Sequence, residues 1–120
     1  METKRTLRVG EFMKHELARI FQTRVKDPHI QLLTITQVSV TPDLSLARVY
    51  LNIMGDEKRR AATLVALERA NAFIRREIGQ VLKTRIIPEL RFIYDDTLDY
   101  ADSIERLFRQ IHEEDNSKSE

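Results

Sequence analysis

The sequence predicts an α+β domain in which helices cover one face of a three-stranded sheet. Three observations lead to this fold class. Three long segments repeat apolar residues every three or four positions, as amphipathic helices do. Three shorter segments alternate apolar and polar residues, as half-buried strands do. Turn residues separate the segments, whose order along the chain is α-β-β-α-β-α.

The first helix is predicted between residues 9 and 25. Its apolar positions form one helical face: Val9, Met13, Leu17, Ile20, Phe21 and Val25. Asp27-Pro28 follows this stretch, and the residue before a proline is disfavoured in the α region. We therefore expect the first helix to end at this dipeptide.

Two β-branched segments come next. In the first, the apolar residues Leu33 and Ile35 occupy odd positions, whereas Val38 and Val40 occupy even positions. This change of phase predicts a β-bulge near 36–37. The second segment alternates without interruption, with these residues on its apolar face: Ala47, Val49, Leu51 and Ile53. A short turn containing proline and aspartate joins the two segments, which predicts an antiparallel hairpin.

A long helix is predicted over 57–84, with Asp56 as its N-cap. Its inward stripe consists of Leu64, Leu67, Ile74, Ile78, Val81 and Leu82. A third strand follows, in which Leu90, Phe92 and Tyr94 face one way.

A last amphipathic helix is predicted after Thr97. Its apolar positions are Tyr100, Ile104, Leu107, Phe108 and Ile111. From Glu113 the chain is polar and low in complexity. We therefore predict one domain over 1–112 and a disordered acidic tail over 113–120. Phe73, Phe92 and Phe108 are expected in the core.

Composition indicates a soluble cytoplasmic protein. The chain has no cysteine, which excludes disulfides and thiolate metal sites and is typical of a reducing compartment. We find neither a secretory signal nor an apolar run long enough to span a membrane.

The net charge of +1 conceals an asymmetry along the chain. Residues 1–92 contain 17 Lys and Arg against 10 Asp and Glu, whereas residues 93–120 contain 3 against 9. A basic body with an acidic end suggests nucleic-acid contact on one side. An ordinary mixed charged surface would give the same composition, so composition leaves both interpretations open.

An aspartate-rich segment provides the strongest enzymatic signal. Asp95, Asp96, Asp99 and Asp102 match the pattern by which prenyl-chain synthases hold magnesium and diphosphate. Such enzymes also need a deep helical cavity and a second acidic motif, for which this chain has no room. We favour the alternative that aspartates gather at a helix N-terminus, where the helix dipole attracts anions.

No other residues assemble into a catalytic mechanism. The three histidines, His15, His29 and His112, have no metal-ligand spacing, and the three glycines form no phosphate-binding loop. The sequence therefore predicts neither an enzyme nor a bound metal, cofactor or small-molecule substrate.

Cations concentrate in two places, which favours contact with phosphates. The first is the N-terminal arm, and the second runs from residue 69 to residue 91. The candidate RNA-binding residues are Lys4, Arg5, Arg8, Arg69, Arg75, Arg76, Lys83 and Arg85. Each of them alone is also compatible with an ordinary solvated helix face.

Six blocks of sequence, in order and at natural spacing, resemble the bacterial ribosome-binding factor A family. They are Asp27-Pro28, LTITQV over 33–38, DLSLARVY over 43–50, AFIRREIG over 72–79, LKTRIIPEL over 82–90 and FIYD over 92–95. The resemblance covers residues 5–112. It implies a KH-like fold of the second topological type, with the order α-β-β-α-α-β.

The resemblance also implies a biological role. Proteins of this family bind the immature small (30S) ribosomal subunit and its 16S rRNA, assist late folding and 5′-end processing, and support growth in the cold. On this basis we expect a non-catalytic assembly factor. Nothing in the sequence requires a dimer, so we expect a monomer. An alternative is a module that docks a partner protein through a sheet edge or the last helix.

The resemblance further implies a helix-kink-helix where other KH modules have a Gly-x-x-Gly loop. The matching residues here are Ala70, Asn71 and Ala72, and Ala72 replaces the glycine usual in the family. Alanine raises the helix propensity by about 1 kcal/mol over glycine. Two interpretations remain open: the alanines admit RNA backbone, or they pack the helix against the sheet.

Overall fold

The computed structural model describes residues 3–31 and 33–118, which contain four helices and three strands. In chain order these are α1 (Lys4–Thr23), α2 (Pro28–Gln31), β1 (Leu33–Val40), β2 (Leu46–Ile53), α3 (Glu57–Val81), β3 (Glu89–Tyr94) and α4 (Thr97–Lys118). The α+β class predicted from sequence is confirmed.

The sheet is mixed, with strand order β1-β2-β3. Strand β2 pairs antiparallel with β1 and parallel with β3. The ladder between β1 and β2 shifts register between Ile35 and Gln37, which confirms the predicted bulge. Because of this extra residue, the buried side of β1 changes from Ile35 to Val38, so both halves of the strand face the core.

Helices α1 and α3 cover one face of the sheet, and the core lies between them and the strands. α1 approaches β1 so closely that a Cβ atom on Gly10 would lie 2.5 Å from the carbonyl oxygen of Val38. The small residue at this position therefore sets the distance between helix and sheet.

Helix α3 is continuous from Glu57 to Val81. Asp56 caps it as predicted, since its side chain accepts a hydrogen bond of 2.9 Å from the backbone N–H of Arg59. The two helices expected from the KH order are thus one continuous helix, with Ala70 and Ala72 in its interior. Alanine in place of glycine at residue 72 favours this continuity, because alanine has the higher helix propensity.

The short helix α2 is absent from the sequence-based prediction. Pro28 was expected to follow the end of α1 directly, but α1 already ends at Thr23, and Pro28 begins α2. Proline is well suited to the first position of a helix because it lacks the N–H that would be unsatisfied there. Asp27 caps the turn by accepting from the backbone N–H of His29 at 3.0 Å.

Helix α4 differs from its prediction in two respects. It continues to Lys118, whereas the sequence places a disordered tail from residue 113. No proline or glycine interrupts the chain after Thr97, so nothing in the backbone chemistry ends the helix earlier. Second, Phe108 is 67% exposed because no other described element covers its side chain, so its expected place in the core is wrong. Residues 119–120 lie outside the described part of the chain.

Phe92 lies in the core as expected, 9% exposed. Phe73 is 38% exposed on α3, so its expected place in the core is also wrong. No helix in the described part of the chain is both long and apolar enough to cross a membrane.

Candidate nucleic-acid interface

All eight candidate cations are exposed: Lys4, Arg5, Arg8, Arg69, Arg75, Arg76, Lys83 and Arg85. Their positions follow from the directions of α1 and α3. Arg8, near the start of α1, lines one cleft with Lys83, just after α3. Val25, just after α1, shares a recess with Ala66 in the first half of α3. The two helices therefore run in opposite directions, which brings the start of α1, with Arg8, beside the end of α3.

Three of the cations follow the outer side of α3, and we call Arg69, Arg76 and Lys83 the basic stripe. Arg69 and Arg76 are seven residues apart, close to two helical turns, so they lie on one face about 10 Å apart. Lys83 follows one further interval, just beyond the last residue of the helix. The stripe ends in the cleft that contains Arg8.

Two charges of the stripe, those of Arg76 and Lys83, are available to an external anion, whereas Arg69 interacts electrostatically with the Asp27 carboxylate. Among the described residues, Arg8, Arg76 and Lys83 have no carboxylate partner. The neighbouring Glu77 points toward α1, where it pairs with Arg24 at 3.7 Å. This carboxylate is therefore drawn away from the stripe.

Arg75 has a structural role that the sequence does not reveal. Its Nη2 donates to the carbonyl oxygen of Ile87 at 2.7 Å, and its Nε donates to that of Pro88 at 3.1 Å. These bonds fix the entry to β3 against α3. Arg75 also lines a shallow recess with Arg76, so a phosphate there would meet both guanidinium groups.

The residues of the expected kink have separate roles. Ala70 packs against the core, whereas Ala72 is exposed in the recess beside Arg75 and Arg76. Between them, the Asn71 side chain donates to the carbonyl oxygen of Leu90 at 3.1 Å, which ties α3 to β3. The packing interpretation thus fits Ala70, and the close-approach interpretation fits Ala72.

The remaining candidate cations, Lys4, Arg5 and Arg85, lie outside the basic stripe. Lys4 and Arg5 were expected in an arm before the first helix, but they lie on the first turn of α1, which is fixed by a capping box between Thr3 and Thr6. Arg85 lies in the loop between α3 and β3. The structure does not bring these residues together with Arg69, which lies at the middle of α3.

Three cations near Arg69, namely Lys26, Lys58 and Arg59, are not among the candidates predicted from sequence. Lys26 shares a recess with Arg69 and His29, and an overlapping recess contains His29, Lys58 and Arg59. These residues come from α2, its approach and the start of α3, which are distant in sequence. The basic residues after Asp56 are visible in the sequence as a possible phosphate-binding cluster. Their proximity to Lys26 depends on helix α2, which was not predicted from the sequence.

The aspartate-rich segment is a capping site among the described residues. Asp95 accepts from the Thr36 hydroxyl at 2.5 Å and from the backbone N–H of Thr97 at 2.9 Å. The hydrogen bond from Thr36, followed by those from Thr97, holds the pKa of Asp95 below its ordinary value of 3.8. The side chains of Asp99 and Asp102 lie outside the described residues.

Comparison with known proteins identifies the family. The sequence profile of the family described as ribosome-binding factor A matches residues 5–108. The chain belongs to the ribosome-binding factor A family. A relative named ribosome-binding factor A from Staphylococcus saprophyticus is 50% identical over 111 residues, which cover 92% of this chain and 97% of the relative.

Solved structures of ribosome-binding factor A give the same result for the fold. The crystal structure from Thermus thermophilus matches with a TM-score of 0.66 at 27% identity, covering 74% of this chain and 94% of that one. A Thermus thermophilus homology model fitted into a cryo-EM map of a complex with the 30S subunit matches with a TM-score of 0.60 at 28% identity. It covers 72% of this chain and 90% of that one. The fold is KH-like, as the resemblance implied.

The ribosome-binding factor A profile includes every candidate cation except Lys4. It also includes the expected kink and the first half of α4, so the basic stripe and part of the exposed apolar helix belong to the family region.

Proposed function

We propose that this chain is a non-catalytic ribosome assembly factor. It binds the precursor of the 30S subunit through 16S rRNA in the cytoplasm, and it assists late maturation and 5′-end processing as a monomer. Membership of the ribosome-binding factor A family supports ribosome association. The Thermus thermophilus relative fitted into a map of a 30S complex supports the small subunit as the target.

The observation that carries the proposal is the basic stripe with Arg8 at its end. Exposed cations without carboxylate partners gain most from phosphate contact, because they release the counterions condensed on the nucleic acid. Arg69 and Arg76 lie on one face of a continuous helix, and Lys83 follows its end, so the stripe presents a row of charges to a folded RNA surface. Phe73 is the exposed aromatic residue within the stripe, and one ring does not make a stacking platform for single-stranded bases. Recognition would therefore depend on the shape of the RNA backbone.

The test is co-sedimentation of the protein with purified small, large and joined ribosomal particles across a salt series. We expect binding to small subunits alone, weakening steeply as salt rises. The double variant Arg76→Glu with Lys83→Glu should bind less tightly, and its salt dependence should be shallower by about one power of salt per residue.

The matched control is Arg48→Glu with Arg91→Glu. Arg48 and Arg91 are paired in register on β2 and β3, on the face of the sheet away from the helices. The control substitutions change the net charge of the protein by the same amount as the stripe substitutions do. If the stripe and control variants bind small subunits equally well, the stripe is not the contact. If the wild-type protein does not sediment with small subunits, the proposed function is wrong.

A second candidate function is suggested by the apolar side of α4. Leu107 and Phe108 are 57% and 67% exposed, and Tyr100 and Ile111 are exposed on the same helix. An exposed apolar stripe of this kind is typical of a protein-docking helix. The variant Leu107→Asp with Phe108→Asp should abolish binding to a protein partner and leave binding to naked 16S rRNA unchanged. Capture of a partner protein that persists after RNase treatment, and that this variant loses, would favour this candidate.

A further inference from the structure

A second cationic surface lies at the opposite end of α3 from Lys83. It is a groove between α2 and the first turns of α3, formed by two overlapping recesses. Its basic residues are Lys26, Lys58, Arg59 and Arg69. We call this the α2–α3 groove. None of its cations except Arg69 belongs to the basic stripe.

The two carboxylates of the groove are already engaged. Asp27 accepts from the backbone N–H of His29 at 3.0 Å and lies 3.1 Å from its Nδ1, and Asp56 caps α3 through the backbone N–H of Arg59. Neither forms an ion pair with Lys58 or Arg59 within the described residues. Four Lys and Arg side chains thus face two carboxylates that serve the local backbone, which leaves a positive excess.

The neighbouring Arg60 shows that the cations at the start of α3 do not all point into solvent. Its Nη1 donates to the Tyr94 hydroxyl at 3.0 Å, and its guanidinium carbon lies 4.8 Å from the centre of the Tyr94 ring. Arg60 therefore serves the junction with β3, whereas Lys58 and Arg59 line the groove.

The floor of the groove favours a nucleic-acid backbone over a protein. It consists of small or short side chains, Ala62, Val65, Ala66 and Pro28, and it contains no deep apolar pocket among the described residues. A protein interface takes most of its binding energy from aromatic or aliphatic anchors in such pockets. A phosphodiester backbone requires only close approach and positive charge.

Arg69 belongs both to the groove and to the basic stripe, so the two surfaces are continuous. Together they extend from Lys58 to Lys83 along a helix of 25 residues, about 37 Å long. We propose that the α2–α3 groove is a second RNA-backbone site, so that RNA contacts the whole length of α3. This inference rests on the proposed function and extends it to a segment that the stripe does not reach.

The test compares Lys58→Glu with Arg59→Glu, Arg76→Glu with Lys83→Glu, and the control pair Arg48→Glu with Arg91→Glu. Each is titrated with purified small subunits and with a short RNA duplex of non-ribosomal sequence across a salt series. We expect the groove variant to lose about tenfold or more in affinity for both probes at low salt, with a salt dependence shallower by about two powers of salt. Circular dichroism and urea unfolding check that each variant is folded.

Three outcomes separate this inference from the proposed function. If the groove variant binds both probes as the control does, the groove is not an RNA site, whatever the stripe variant does. If the wild-type protein binds the duplex but not small subunits, and the groove variant weakens duplex binding, the groove is an RNA site and the proposed function fails. If polyglutamate competes for the groove as well as the duplex does at equal charge, the groove recognises acidic protein and the inference is overturned.

Discussion

Helices α3 and α4 are similar in length and pattern but differ in environment. Both are long and amphipathic, with 25 and 22 residues. In α3, Leu67, Ile74 and Ile78 are fully buried between the sheet and α1, whereas Leu107 and Phe108 of α4 are more than half exposed. Apolar periodicity therefore predicts a helix and its apolar face, but it does not show whether the chain itself covers that face.

The two helices also differ in charge. The outer side of α3 carries cations, and the segment from residue 93 onward carries 9 Asp and Glu against 3 Lys and Arg. The acidic end would repel the polyanion that the basic stripe attracts. Under the proposed function, RNA would therefore contact α3 rather than α4.

The largest expected effect is on stability. Ile74→Ala should lower the free energy of unfolding by about 2–5 kcal/mol, because it opens a cavity in a fully buried part of α3. Leu107→Ala removes the same kind of side chain from α4 and should change it by no more than about 0.5 kcal/mol. Urea unfolding at neutral pH measures both. A large loss for Leu107→Ala would mean that α4 packs against the domain.

A second pair of variants distinguishes structural from ligand-binding cations within α3. Arg75→Gln should lower the free energy of unfolding by about 1 kcal/mol, because the bonds to the carbonyl oxygens of Ile87 and Pro88 are lost from an exposed site. Arg76→Gln should leave stability unchanged and weaken binding to small subunits. Equal stability losses in the two variants would contradict the assignment of separate roles.

Most of the fold could be predicted because its signals are local. The alternation in β2 and the change of phase at the bulge in β1 can be read within eight residues each. Helix α2 was missed because Pro28 can either end a helix or begin one, and only the surrounding chain decides between them. The exposure of α4 depends on whether another surface packs against it, and no local pattern contains that information.

The candidate site was predictable only where its residues share one element. The seven-residue spacing of Arg69 and Arg76 is visible in the sequence and places them on one helical face. The association of Arg8 with Lys83 requires the opposite directions of α1 and α3, and that of Lys26 with Lys58 requires the fold of α2. The role of Arg75 could not be read from sequence, because its partners are backbone carbonyl oxygens.

The smallest expected effect concerns the junction between the sheet and α4. Asp95 bonds both Thr36 on β1 and Thr97 at the start of α4, and the pKa of its carboxyl group is lowered by these bonds. A carboxyl group whose pKa is lowered in the folded state stabilises the protein at pH values above its ordinary pKa of 3.8. This contribution is lost as the pH falls through the folded-state pKa.

Asp95→Asn should therefore be less stable than the wild-type protein at neutral pH, and the difference should shrink as the pH falls below 3.8. Urea unfolding of both proteins across this range measures the difference, and Asp96→Asn is the matched control, since it removes an exposed carboxylate from the next residue. A difference that stays constant with pH would show that the charge of Asp95 does not stabilise the junction. Such a result would mean that no electrostatic contribution from Asp95 holds α4 to the sheet, whereas α3 is held by a buried apolar face.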